Sequence, residues 1–91
     1  MKFTIEVGSA EKNRLEYEHS QLLGRLLIKV NDTPVKEARW LLNEPITEVH
    51  IFVVGRHEKS TIRIEKRRKP LVGNRSRLYV NDRLTRVFEG I

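Results

Sequence analysis

Apolar and polar residues alternate with a period of two in one segment of this chain after another. Phe3, Ile5 and Val7 alternate with Lys2, Thr4 and Glu6, the pattern of a strand with one buried face and one wet face. Leu15 and Tyr17 point one way, while Arg14, Glu16 and Glu18 point the other. In residues 25–30 the inward set is Leu26, Ile28 and Val30, with Leu27 partly covered on the opposite face. Val49-His50-Ile51-Phe52-Val53-Val54 is apolar on both faces and is predicted to be the most buried strand. Ile62 and Ile64 alternate with Arg63 and Glu65, and Leu78 and Val80 with Arg77 and Tyr79. Residues 84–88 form the last predicted strand.

The breaks between these segments have turn chemistry. Gly8-Ser9-Ala10-Glu11-Lys12-Asn13 opens on a glycine free to take positive φ. Asn31-Asp32-Thr33-Pro34 closes a strand, because Asn and Asp tolerate left-handed backbone and Pro is expected to end the ladder. Residues 36–42 suit one helical turn or a strand, Asn43-Glu44-Pro45 argues against a helix longer than two turns, and the stretch is read as a short edge element. Trp40 is expected to act as a plug over one end of the core.

The pattern occurs twice. At an offset of 47 residues Gly8 matches Gly55, Glu11 matches Glu58, Lys12 matches Lys59, Leu15 matches Ile62 and Glu18 matches Glu65. The offset grows to 49 at Gly24/Gly73 and to 50 at Asn31/Asn81, so the second copy carries a longer loop after Glu65. Neither copy, approximately residues 3–35 and 50–88, can bury an apolar face alone. The prediction is an all-β single domain over residues 1–91. It is an antiparallel β-sandwich of about eight strands, built from two pseudo-repeated four-strand meanders. A closed barrel satisfies the same burial requirement, and two similar sheets favour the sandwich. Glu11 and Glu58, which recur after Gly, are read as turn caps.

Several of these features resemble a known family. Arg14-Leu15-Glu16-Tyr17-Glu18-His19, then Gly24, then Val30-Asn31-Asp32 resembles the opening of a Fas apoptotic inhibitory molecule domain. Trp40, Phe52-Val53-Val54-Gly55, Thr61-Ile62-Arg63-Ile64 and Leu78-Tyr79-Val80-Asn81-Asp82 continue the same order of features. Asp32-Thr33 and Asp82-Arg83 stand where that family usually has Asp/Asn-Gly. The resemblance implies a non-enzymatic β-sandwich that acts through protein contacts, and it transfers no catalytic residue.

Charge adds an asymmetry. The net charge is +6. Residues 1–55 hold seven Lys/Arg against eight Asp/Glu, and residues 56–91 hold eleven against four. A basic half raises the expectation of an anionic partner, and a solubilising face accounts for the same residues. There is no cysteine, hence no disulfide or thiolate metal site. The longest apolar run, residues 51–54, is far too short to span a membrane as a helix. The start of the chain lacks an apolar leader. A cytoplasmic location without a membrane span is the expectation.

The chemistry-bearing residues form no catalytic constellation. His19, His50 and His57 share no ligand spacing, so no metal or cofactor is expected. His50 is read as a packed histidine with one satisfied nitrogen. Ser9, Ser20, Ser60 and Ser76 lack the context of an activated nucleophile. The candidate site is the basic cluster. Lys66, Arg67, Arg68 and Lys69 are placed in the longer loop, and Arg63, Arg75, Arg77 and Tyr79 on the outward face of the neighbouring strands. Such a patch would contact phosphates, with Tyr79 stacking on a base. The expected function is therefore a non-catalytic interaction module with a protein partner, or self-association through an edge strand. Nucleic-acid or polyanion binding is the alternative.

Overall fold

The period-two segments form eight strands in the computed structural model, which describes residues 1–20, 22–40, 45–70 and 73–90. They are Lys2–Val7 (β1), Asn13–Ser20 (β2), Arg25–Val30 (β3), Thr33–Arg39 (β4), Thr47–Val54 (β5), Ser60–Arg68 (β6), Asn74–Val80 (β7) and Arg83–Gly90 (β8). Two antiparallel meanders result, ordered β1-β2-β3-β4 and β5-β6-β7-β8. The repeat is also a repeat of register. Phe3 pairs with Tyr17 in the first sheet, and His50 with Ile64, each 47 residues later, in the second.

The Asn-Asp turns explain why each copy folds back where it does. Asn31 and Asp32 have φ of 49° and 66°, and Asn81 and Asp82 have 50° and 65°. Positive φ at both central residues is the twist-matched two-residue hairpin turn. Each Asn side chain also braces the preceding hairpin. Arg14 N–H donates to Asn31 Oδ1 at 2.8 Å and Thr61 N–H donates to Asn81 Oδ1 at 2.9 Å.

The sheets pack face to face around Leu15, Tyr17, Leu26, Ile28, Ile62, Ile64 and Leu78, all fully buried. Phe3 on β1 stacks on Phe88 of β8, ring centroids 3.6 Å apart. The Tyr17 hydroxyl on β2 lies 3.3 Å from Ser76 Oγ on β7. At one end the two Gly-x-x-Glu turns interlock. Glu58 accepts the N–H groups of Ser9 and Ala10 at 2.5 and 2.8 Å. Glu11 Oε1 accepts those of Arg56, His57 and Glu58 at 2.7, 2.9 and 3.1 Å. The glutamates therefore cap turns, and each caps the turn of the other copy.

Three expectations change. The strand apolar on both faces, β5, is an edge strand, and Val49, Ile51 and Val53 are 50%, 65% and 59% exposed. Its inward set is Glu48, His50, Phe52 and Val54, and among the described residues no layer covers the other set. Pro34 does not end the ladder but lies within β4, opposite Lys29 beside a register irregularity at Ile28/Lys29. An edge strand tolerates the missing N–H there. Lys66, Arg67 and Arg68 belong to β6 rather than to a loop. The edge-strand reading of residues 36–42 holds as far as Arg39, the end of β4. Leu41, Leu42, Asn43 and Glu44 lie outside the described residues. No helix among the described residues is long and apolar enough to cross a membrane.

Candidate functional site

The outward face of the second sheet is built in cross-strand rows, because residues directly opposite in an antiparallel pair share a face. One row runs Thr47, Arg67, Arg75, Glu89, the next Val49, Glu65, Arg77, Val87, and the third Ile51, Arg63, Tyr79, Leu84. The first two rows border an open depression of about 830 Å³, lined by Ile46, Thr47, Glu65, Lys66, Arg67, Arg68, Lys69, Pro70, Arg75 and Arg77. Six of the cations singled out in the sequence, Lys66, Arg67, Arg68, Lys69, Arg75 and Arg77, thus border one groove, Lys66 alone of them fully buried.

Their availability differs. Arg75 and Lys69 converge on Glu89, with Arg75 Nη2 at 2.8 Å and Lys69 Nζ at 2.5 Å. These two bonds hold the Glu89 carboxyl below its usual range. Arg67 and Arg77 are exposed, and among the described residues neither has a carboxylate within ion-pair distance. A guanidinium in that state keeps its planar fork of donors for an incoming anion.

Arg63 and Tyr79 sit one row away from the groove. The Arg63 guanidinium lies over the Tyr79 ring at 4.1 Å, pairs electrostatically with Glu65 at 3.1 Å and donates to Asp82 at 2.8 Å. Arg63 is therefore compensated, and one face of the Tyr79 ring is covered, against the expectation of an open stacking platform.

Lys66 is not a surface cation. It is fully buried, with Nζ 3.1 Å from Glu48 Oε2 and 4.5 Å above the Trp40 ring. His19 Nε2 lies 3.3 Å away. An ammonium has no lone pair, so His19 accepts at Nε2 and carries its proton at Nδ1. Asn74 Nδ2 stands 3.4 Å from that Nδ1. Two donors cannot bond, so the amide must turn its Oδ1, otherwise unpartnered among the described residues, to accept the Nδ1 proton. This polar knot lies between the sheets, where an unpaired charge would be costly. Two signals in the sequence mark it. Lys66 continues the inward series Ile62, Ile64, and it is the 47-residue counterpart of His19. Trp40, expected as a core plug, does pack against the core and also covers this knot, its ring 6.2 Å from that of His19.

His50 lies beside the knot. Its Nε2 is 3.5 Å from Glu48 Oε2, an ion-pair distance, and among the described residues neither Nδ1 nor Nε2 has a hydrogen-bond partner. The expectation of one satisfied nitrogen is therefore not met. Burial pushes the His50 pKa down, opposed by Glu48 and assisted by Lys36 and Lys66.

The hydroxyls of Ser9, Ser20 and Ser76 are committed elsewhere. Ser9 bonds Glu58, Ser20 accepts the Leu23 N–H and Ser76 meets Tyr17. Among the described residues no group of three or more His, Cys, Asp and Glu is placed to hold a metal ion. What the outward face offers is two exposed guanidinium groups, Arg67 and Arg77, beside one groove. The contribution of Ile46, Thr47 and Pro70 to the groove had no sequence signal, since it depends on which strand pairs with β6.

No family model matches the chain, and no match to it is found among the curated proteins or the solved structures.

Proposed function

We propose that this chain is a non-catalytic interaction module that holds a polyanion, nucleic acid being the foremost class, in the groove at Arg67, Arg75 and Arg77. The observation that carries the reading is the pair Arg67 and Arg77, exposed at one groove and without carboxylate partners among the described residues. Phosphate oxygens fit such guanidinium forks in bidentate fashion. With the Tyr79 ring already engaged by Arg63, recognition rests on the phosphate backbone. Binding should then be tolerant of sequence and strongly weakened by salt.

The test is a salt titration of binding to a random-sequence duplex and to a polyuridine oligonucleotide. Wild type should bind at low salt. Arg67→Glu with Arg77→Glu should abolish binding or reduce the log-log salt slope by about two, roughly one per phosphate contact. No binding at low salt, or an unchanged slope in the double variant, removes this reading.

A protein partner is the second reading. The observation in its favour is the open β5 edge, with its row of exposed aliphatic side chains. The resemblance to Fas apoptotic inhibitory molecule domains supports the same class of function, action by contact.

A further inference from the structure

Each sheet has two edges, and three of the four carry features that discourage another strand. The outward positions of β1 include Lys2 and Glu6. Pro34 and a register irregularity interrupt β4, which also carries Lys36, Glu37 and Arg39. On β8 there is a register irregularity opposite Leu78/Tyr79, together with Arg83, Arg86 and Glu89. The remaining edge, β5, has none of these devices on its outward face. Its eight residues pair with β6 in unbroken register, it contains no Pro, and Val49, Ile51 and Val53 project outward. Glu48 is its one acidic residue, and that side chain is turned inward to Lys66.

The outward pattern is symmetric about Ile51. A twofold antiparallel pairing centred there sets Ile51 against Ile51 of the second copy and Val49 against Val53, so all three aliphatic positions are matched. Centring on His50 would put Val53 opposite Thr47, and centring on Phe52 would put Val49 opposite Gly55. Charge permits the same contact despite +6 on each chain. The cation next to Ile51 is Arg63, which Glu65 and Asp82 neutralise, and next to Val49 stands Glu65. The uncompensated Arg67 is beside Thr47, at the far end of the strand.

We propose that a second copy of this chain adds to the β5 edge, antiparallel and centred on Ile51, joining two four-stranded sheets into one continuous sheet of eight. The β-branched side chains Val49, Ile51 and Val53 then form a cross-strand aliphatic stripe with their symmetry mates, and the free edge of β5 gains a ladder.

The chain has no cysteine, so a single introduced thiol reports this register directly. In the proposed dimer the two Cα atoms at position 51 are about 4.5–5.5 Å apart, within disulfide range. The two at position 53 are displaced by four residues, roughly 13 Å along the strands. Under mild oxidation and without any polyanion, Ile51→Cys should form a covalent dimer at least about tenfold faster than Val53→Cys. Equal rates overturn the proposal. Sedimentation velocity gives a second reading. Wild type should show a concentration-dependent monomer–dimer equilibrium. Ile51→Lys and Ile51→Glu should each weaken it about tenfold or more through opposed like charges, and mixing the two should restore a dimer. A wild type that stays monomeric to millimolar concentration, or an Ile51→Lys chain that dimerises normally, overturns it. So does a strand captured only from a different protein. Circular dichroism of the variants checks that the exposed substitution leaves the fold intact. Because the readout is association alone, the result is separate from that of the groove.

Discussion

Glu11 and Glu58 stand 47 residues apart, and each closes the turn that carries the other, Glu11 through three backbone N–H groups and Glu58 through two. A repeated Gly-x-x-Glu is thus explained by docking of the copies. Each carboxylate satisfies donors that its own turn does not supply with acceptors, and the two meanders are tied at one end.

Backbone N–H groups hold both carboxyl pKa values below the usual 4.5. A depressed folded-state pKa means that the unfolded chain binds protons first as pH falls. The contribution is complete above about pH 4.5 and is lost as pH drops through the folded-state values. Glu11→Gln and Glu58→Gln should each lower the melting temperature at neutral pH, by similar amounts. The difference from wild type should shrink in acid. Thermal melts at several pH values check this.

Lys66 and Glu48 form an ion pair with the ammonium fully buried. Lys66→Ala would leave the Glu48 carboxylate without that ammonium and is expected to cost about 3–5 kcal/mol in urea unfolding. Lys66→Met combined with Glu48→Leu removes both charges and should recover most of that loss. A double variant no better than Lys66→Ala would contradict the pairing.

His50 occupies the position that Phe3 holds in the first copy. Burial lowers its pKa, with Glu48, Lys36 and Lys66 the charged groups facing it. The unfolded chain therefore takes up the proton first, near pH 6.5, and stability falls as pH drops from there toward the folded-state value. His50→Phe should flatten that part of the stability curve and raise the melting temperature. A curve unchanged in slope between about pH 7 and 5 would rule out His50 as the titrating group.

Gly8 has φ of 103°, and an added Cβ would meet the Glu11 carbonyl oxygen at 2.1 Å. Gly55, at φ 97°, would meet that of Glu58 at 2.2 Å. Gly8→Ala and Gly55→Ala should each destabilise by about 1–3 kcal/mol, from strain and displacement of the interlocked turns. Denaturant titration measures it.

Much of this molecule was legible from residue order alone. Alternation at Phe3/Ile5/Val7 and Ile62/Ile64 located strands, because the period of two is a local property of the backbone. The match of Gly8-x-x-Glu11 to Gly55-x-x-Glu58 revealed two meanders, and Asn31-Asp32 and Asn81-Asp82 placed the hairpins, because positive φ is a local demand. Tertiary structure decided the rest. Whether the two-sided apolar β5 was central or an edge depended on sheet order, which no local pattern encodes. Whether Lys66 was a surface cation or the partner of Glu48 depended on where β6 ended and which sheet lay over it. Which arginines were open depended on Glu65, Asp82 and Glu89, brought alongside by pairing between strands. Charge compensation is a matter of distance in space, and that distance exists only after the two copies have folded and packed.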